Sequence, residues 1–128
     1  MTCENDFIPY EAVRNIGTGN VLVLSPHPDD EVFGCAGTIM RHMESEDPIH
    51  VIIVTDGGYQ ESDDSGSRNE YIRIRKEESI QAGAMLGYVP EFWDIPDRKL
   101  AYGEKLITRI PSRRPLLRTY QRPAFLGV

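Results

Sequence analysis

Residues 20–37 read NVLVLSPHPDDEVFGCAG, and the fold is decided there. Val21 to Leu24 is a short apolar run, set between Gly19-Asn20 and Ser25-Pro26, the pattern of a strand buried on both faces. The chain turns through Pro26-His27-Pro28-Asp29-Asp30 and continues from Glu31 to about Met43. Over that stretch Val32, Ala36, Ile39, Met40 and Met43 fall at helical spacing. One histidine and three acids therefore sit where a strand hands over to a helix. In open α/β sheets, ligands bind at that edge, beyond the carboxyl ends of the strands.

Working outward, the next apolar run is His50 to Thr55, HVIIVT, too apolar to have a solvent face. Strand, helix and strand at this spacing form a βαβ unit with two parallel strands. The second strand ends in Asp56-Gly57-Gly58, which puts Asp56 at the same edge as His27. Tyr59 to Asn69 is polar and aperiodic, and reads equally as a mobile loop over the site or a plain connection. Glu70 to Leu86 reads as the second helix, stopped by Gly87, with Arg75, Glu78, Ala82 and Met85 on one stripe. The plain account of Arg75 and Glu78 is a surface ion pair. Glu91 to Ile95 reads as a third strand with Pro96-Asp97 as the turn after it. Upstream, Met1 to Gly19 is a polar lead-in with a short helix expected over Tyr10 to Asn15.

The chain has 128 residues, 40% hydrophobic and 27% charged, with a net charge of −6. That suits one domain with a real core and argues against nucleic acid as a partner. No apolar run approaches the roughly 20 residues that span a bilayer, so a cytoplasmic chain is expected. Cys3 and Cys35 form no CxxC pair, which fits a reducing compartment, and Cys35 reads as a small packing residue. The charge is unevenly spread. All 20 acids lie at or before Glu104, whereas Lys105 and Arg109, Arg113, Arg114, Arg118 and Arg122 follow it.

His27 and Asp30, three apart around a tight turn, can reach one metal ion from the same side, because zinc takes imidazole nitrogen and carboxylate oxygen at roughly 2.0–2.2 Å. Pro26 and Pro28 restrict the backbone and lower the entropy of holding that turn. Asp29 then projects differently, placed to take a proton from a water the metal has acidified. Glu31 falls in the first helical turn, where the dipole favours a negative charge. Plain helix capping would account for one of these acids but not for a histidine between prolines.

At these residues the sequence resembles the PIG-L/LmbE-like N-deacetylases, zinc hydrolases that remove acetyl groups from N-acetylglucosaminyl compounds. The resemblance runs from about Asn20 to Leu100 and takes in PHPDDE, VIIVTDGG, the Arg-Lys-Glu-Glu helix with Leu86-Gly87, and Ile95-Pro96-Asp97. It implies an α/β, Rossmann-like three-layer fold with a mainly parallel sheet, here in truncated form. By position, His27 and Asp30 become metal ligands for Zn2+ (or another divalent ion) and Asp29 the catalytic base. Glu31, Asp56, Arg75 and Glu78 become contacts to substrate or supports behind the ligands. The implied partner is a small-molecule amino-sugar conjugate.

The family's third ligand is a histidine in a downstream HPDH-like motif, which this chain lacks. His50 begins the second strand and His42 lies near the end of the first helix, roughly 16 Å along the axis from Glu31, so neither reaches His27. Residues 1–106 read as the deacetylase domain and residues 107–128 as an atypical Pro/Arg-rich tail. The tail reads as a truncated or frame-shifted end, with a basic segment for an acidic partner as the alternative. The expectation is weak zinc binding, little turnover and poor order from Pro111 to Val128. Two other functions stay open: a metal-dependent phosphoesterase, since acids at a strand end also hold magnesium, and a non-catalytic remnant that binds sugar or a partner chain.

Overall fold

The computed structural model describes residues 15–58 and 65–101, together with residues 103 and 109. The expected short helix at Tyr10–Asn15 (apart from Asn15 itself), the first part of the polar loop and the basic tail (apart from Arg109) lie outside the described residues.

Three parallel strands form one sheet: β1 (Val21–Ser25), β2 (Ile49–Thr55) and β3 (Pro90–Ile95), in the order β1-β2-β3. Helix α1 (Asp30–Glu44) joins the first two strands and α2 (Ser65–Leu86) the last two. Two successive steps in one direction with the usual right-handed crossover bring both helices to the same face, and the helices touch. The α/β, parallel architecture expected from the sequence is met.

β2 is central, with Val51, Ile52 and Ile53 fully buried. On the helix side Val23, Ile39, Ile49, Val51 and Tyr88 form the core, and Cys35, Met43 and Leu86 pack against it. Burying each large side chain contributes about 1.5–3 kcal/mol. β1 departs from the expectation of burial on both faces. It is an outer strand of the described sheet, and Leu24 is 42% exposed.

The second helix differs from its sequence reading in two respects. It begins at Ser65, five residues before Glu70. Its buried line is Ser79 and Gly83, while Met85 is 88% exposed and Glu78 also faces outward. Small residues let the helix approach closely: a Cβ on Gly83 would lie 2.7 Å from the Tyr88 carbonyl oxygen. Gly87 at φ 84° closes the helix, and the Tyr88 amide donates to the Gly83 carbonyl at 2.9 Å, the hydrogen bond of a Schellman stop. In α1, Met40 is exposed too, so Cys35, Ile39 and Met43 carry that helix's apolar contact with the core.

The pairing of β2 with β3 shifts by one residue between Ile53 and Thr55. Asp94 in the bulged strand takes φ 55°. A bulge re-aims the chain that leaves it, and here that chain is Pro96-Asp97, at the carboxyl edge of the sheet.

Candidate metal and water-activating site

Three strand ends meet at this edge. Thr55 donates through both its amide (3.0 Å) and its hydroxyl (2.7 Å) to the Pro26 carbonyl, so β2 grips the turn after β1. The Asp56 amide donates to the Ile95 carbonyl at 2.9 Å and ties in β3. His27, Asp29, Asp30 and Asp56 therefore share one edge, as the sequence implied.

Asp29 is the N-cap of α1 by position, but its side chain makes no capping hydrogen bond. Its backbone takes φ 115°, which a non-glycine residue rarely adopts. The capping account thus leaves Asp29 unexplained. The carboxylate instead lies 2.8 Å from Nη2 of Arg75. That guanidinium also donates to the carbonyls of Pro28 and Gly57. Arg75 is therefore not the partner of Glu78, contrary to the plain surface-pair account. It reaches across from α2 to hold the turn itself. Gly57 sits at φ 61° against this turn, where a Cβ would lie 2.9 Å from both Arg75 Nη1 and Pro28 Cδ.

Glu31 is 1% exposed. Its carboxylate accepts from the Asp29 amide, the Ser25 hydroxyl and the Ser79 hydroxyl, each at 3.0 Å. It is a buried joint between β1, α1 and α2. Asp56 is buried as well, accepting from the amides of Gly58 and Asp97 at 2.9 Å and from Arg68 at 3.2 Å. Both acids are buried beneath the turn. Glu78 stays exposed and lines, with Pro28, Asp29, Val32, Phe33 and Arg75, a cavity of ≈120 Å³ between the two helices.

His27 Nδ1 and Asp30 Oδ2 lie 3.1 Å apart, and both side chains are partly exposed. Two donor atoms on one tetrahedral zinc, at bonds of 2.0–2.1 Å, would be roughly 3.3 Å apart. The pair thus fits one edge of such a site. Among the described residues no group of three or more His, Cys, Asp or Glu could hold a metal ion. His42 is paired with Asp47 at 2.8 Å and His50 with Glu91 at 3.0 Å, both far from His27 in the fold.

Asp97 was absent from the sequence-derived site residues. Its Oδ1 lies 3.3 Å from His27 Nε2, and its side chain is mostly buried. The Pro-Asp turn at the end of a third strand was the available signal, but nothing in spacing links it to a residue 70 positions earlier.

A family model described as PIG-L, GlcNAc-PI de-N-acetylase, matches residues 22–122. Diacetylchitobiose deacetylase of Thermococcus kodakarensis is 31% identical over 100 residues, covering 74% of this chain and 38% of that enzyme. 4-Oxalmesaconate hydratase of Pseudomonas putida is 30% identical over 104 residues, covering 76% of this chain and 40% of that enzyme. Among solved structures, N,N'-diacetylchitobiose deacetylase from Pyrococcus horikoshii superposes with a TM-score of 0.63 at 30% identity, over 70% of this chain and 34% of that one. The 4-carboxy-2-hydroxymuconate hydratase of Pseudomonas putida gives 0.64 at 25% identity, over 77% and 43%. The chain spans about two fifths of the length of the curated relatives it matches. Among the described residues no helix is long and apolar enough to cross a membrane.

Proposed function

The chain belongs to the PIG-L family, and on that premise we propose that its site is built to hydrolyse the N-acetyl group of an N-acetylglucosaminyl-type compound. The observation that carries the reading is the division of labour at the turn. His27 and Asp30 offer one nitrogen and one oxygen 3.1 Å apart, while Asp29 is held away from them by Arg75.

In this reading His27 and Asp30 hold a divalent cation, zinc by the chemistry of a mixed imidazole–carboxylate pair. When bound, such an ion supplies Lewis acidity and lowers the pKa of water. Asp29 takes the proton from the attacking water as its oxygen adds to the amide carbonyl. Arg75 fixes the direction of that carboxylate. The C–N bond then breaks as the nitrogen takes up the proton held by Asp29, and acetate and the free amino sugar leave. The cavity beside Asp29, walled by Val32 and Phe33, offers apolar surface next to the base.

A second reading follows from the hydratase relatives. The same arrangement could direct water onto a conjugated double bond, since what Asp29 does to the water is common to both reactions. The amide reading is preferred because the family description and a relative of slightly higher identity both point to deacetylation.

The test is acetate release from N,N'-diacetylchitobiose by the zinc-supplemented chain extended to carry the downstream HPDH-like motif, alongside zinc content by elemental analysis. Asp29→Asn should lower turnover by about 100-fold or more and keep its zinc. His27→Ala should lose both. Equal zinc loss in the two variants, or water addition to an unsaturated acid without acetate release, would overturn the assignment.

A further inference from the structure

The His27 ring lies between two carboxylates on opposite sides: Nδ1 is 3.1 Å from Asp30 Oδ2 and Nε2 is 3.3 Å from Asp97 Oδ1. The two ring nitrogens point away from each other. A cation shared by Nδ1 and Asp30 is therefore out of reach of Asp97. Asp97 is left with the other role open to a carboxylate beside a ligating imidazole, that of accepting the remaining N–H. An imidazole that gives one nitrogen to a cation must carry its proton on the other. The group accepting that proton sets both the tautomer and the plane of the ring.

The position of Asp97 is itself fixed. The Asp97 amide donates to Asp56 Oδ1 at 2.9 Å, and the Arg98 amide donates to Asp97 Oδ1 at 2.8 Å. Asp56 is buried and also held by Arg68. The bulge in β3 delivers the turn to this point. A chain of contacts therefore runs from α2 through the end of β2 and the turn after β3 to the imidazole.

We propose that Asp97 is a positioning residue for His27, accepting the Nε2 proton so that Nδ1 faces Asp30 with a free lone pair. The proposal rests on His27 being a ligand, and its test has one arm that does not need the metal. In metal-free protein at pH 9 the two carboxylates compete for the one ring proton, and 15N-edited spectra of the histidine rings should show both tautomers of His27. Asp97→Ala should shift His27 towards the Nδ1-protonated form that faces Asp30. Asp97→Asn, whose amide oxygen still accepts, should stay close to the unaltered chain. Unchanged His27 spectra in Asp97→Ala would overturn the proposal.

The second arm is isothermal titration with zinc chloride. Asp97→Ala should bind about 10–100-fold more weakly and Asp97→Asn by a smaller factor. Equal affinity in all three proteins would overturn the proposal while leaving His27 a ligand. If the unaltered chain takes up no zinc, the metal-free spectra alone decide whether Asp97 holds the ring. His42 and His50 give internal reference resonances, since each has its own carboxylate partner.

Discussion

The Asp29 carboxylate and the Arg75 guanidinium meet at 2.8 Å across the gap between α1 and α2, although 46 positions separate them in sequence. Arg75 is mostly buried and Asp29 half-exposed, so the pair ties a covered helix face to an accessible site. The geometry asks Arg75 to do two things at once, pairing with Asp29 and donating to two carbonyls of the facing turns.

Arg75→Ala should therefore lower stability by about 1–3 kcal/mol, because carbonyls lose charged donors they now have. Arg75→Lys should recover only part of this, since an ammonium cannot replace a planar fork that reaches several acceptors. Urea unfolding of the three proteins checks it, and equal midpoints for Ala and Lys would count against the fork.

Glu31→Ala should cost more than Asp29→Ala. Removing the Glu31 carboxylate strands the Ser79 hydroxyl and the Asp29 amide around a buried void, while Ser25 keeps its bond to the His27 carbonyl, a loss of roughly 2–4 kcal/mol. Asp29 is half-exposed and its truncation leaves no such hole. Thermal unfolding should rank the variants Asp29→Ala above Glu31→Ala.

The Tyr88 hydroxyl is buried with no hydrogen-bond partner. Burial first, and the nearby Glu31 charge second, push this phenol above its ordinary range. The hydroxyl lies near the Glu31 carboxylate without a well-formed hydrogen bond to it, so Tyr88→Phe should change stability by no more than about 1 kcal/mol. A loss larger than that in chemical denaturation would mean the hydroxyl has a partner in solution.

At the other edge of the sheet, Asp47 accepts from His42 at 2.8 Å and from the Gly19 amide at 2.7 Å. The His42 contact foremost, then the Gly19 amide, hold its carboxyl below the ordinary value of 3.8. The unfolded chain therefore binds this proton more readily than the folded one. The stabilisation is complete above about pH 5 and is lost as pH falls through the folded value, below about 4. Asp47→Asn should be less stable at pH 7 and should show a shallower fall in urea midpoint between about pH 5 and 3. Parallel midpoint-versus-pH curves for the two proteins would refute this.

Periodicity made the strands legible because HVIIVT and VLVL cannot sit as amphipathic helices, and the turn chemistry of PHPDDE located the site between them. The face of α2 was not legible. Its buried positions are Ser79 and Gly83, small residues chosen for close approach, whereas the apolar Met85 is left in solvent. Hydrophobic spacing reads the wrong side of a helix that packs by its small residues. Asp97 was hidden for another reason. Its contact with His27 depends on the bulge in β3 and on a hydrogen bond to Asp56, and neither leaves a mark at fixed spacing in the sequence.

The 70 positions between His27 and Asp97 also set a timetable. At roughly 5–20 residues per second of synthesis, the histidine leaves the ribosome about 4–14 seconds before the carboxylate that faces its Nε2. Arg75 and Asp56 emerge in between. Thr55 and Arg75 can hold the PHPDDE turn once β2 and α2 have formed, but the His27 ring gains its second carboxylate only when β3 docks. An intermediate lacking β3 should therefore hold the turn yet leave the imidazole without the carboxylate that faces its Nε2.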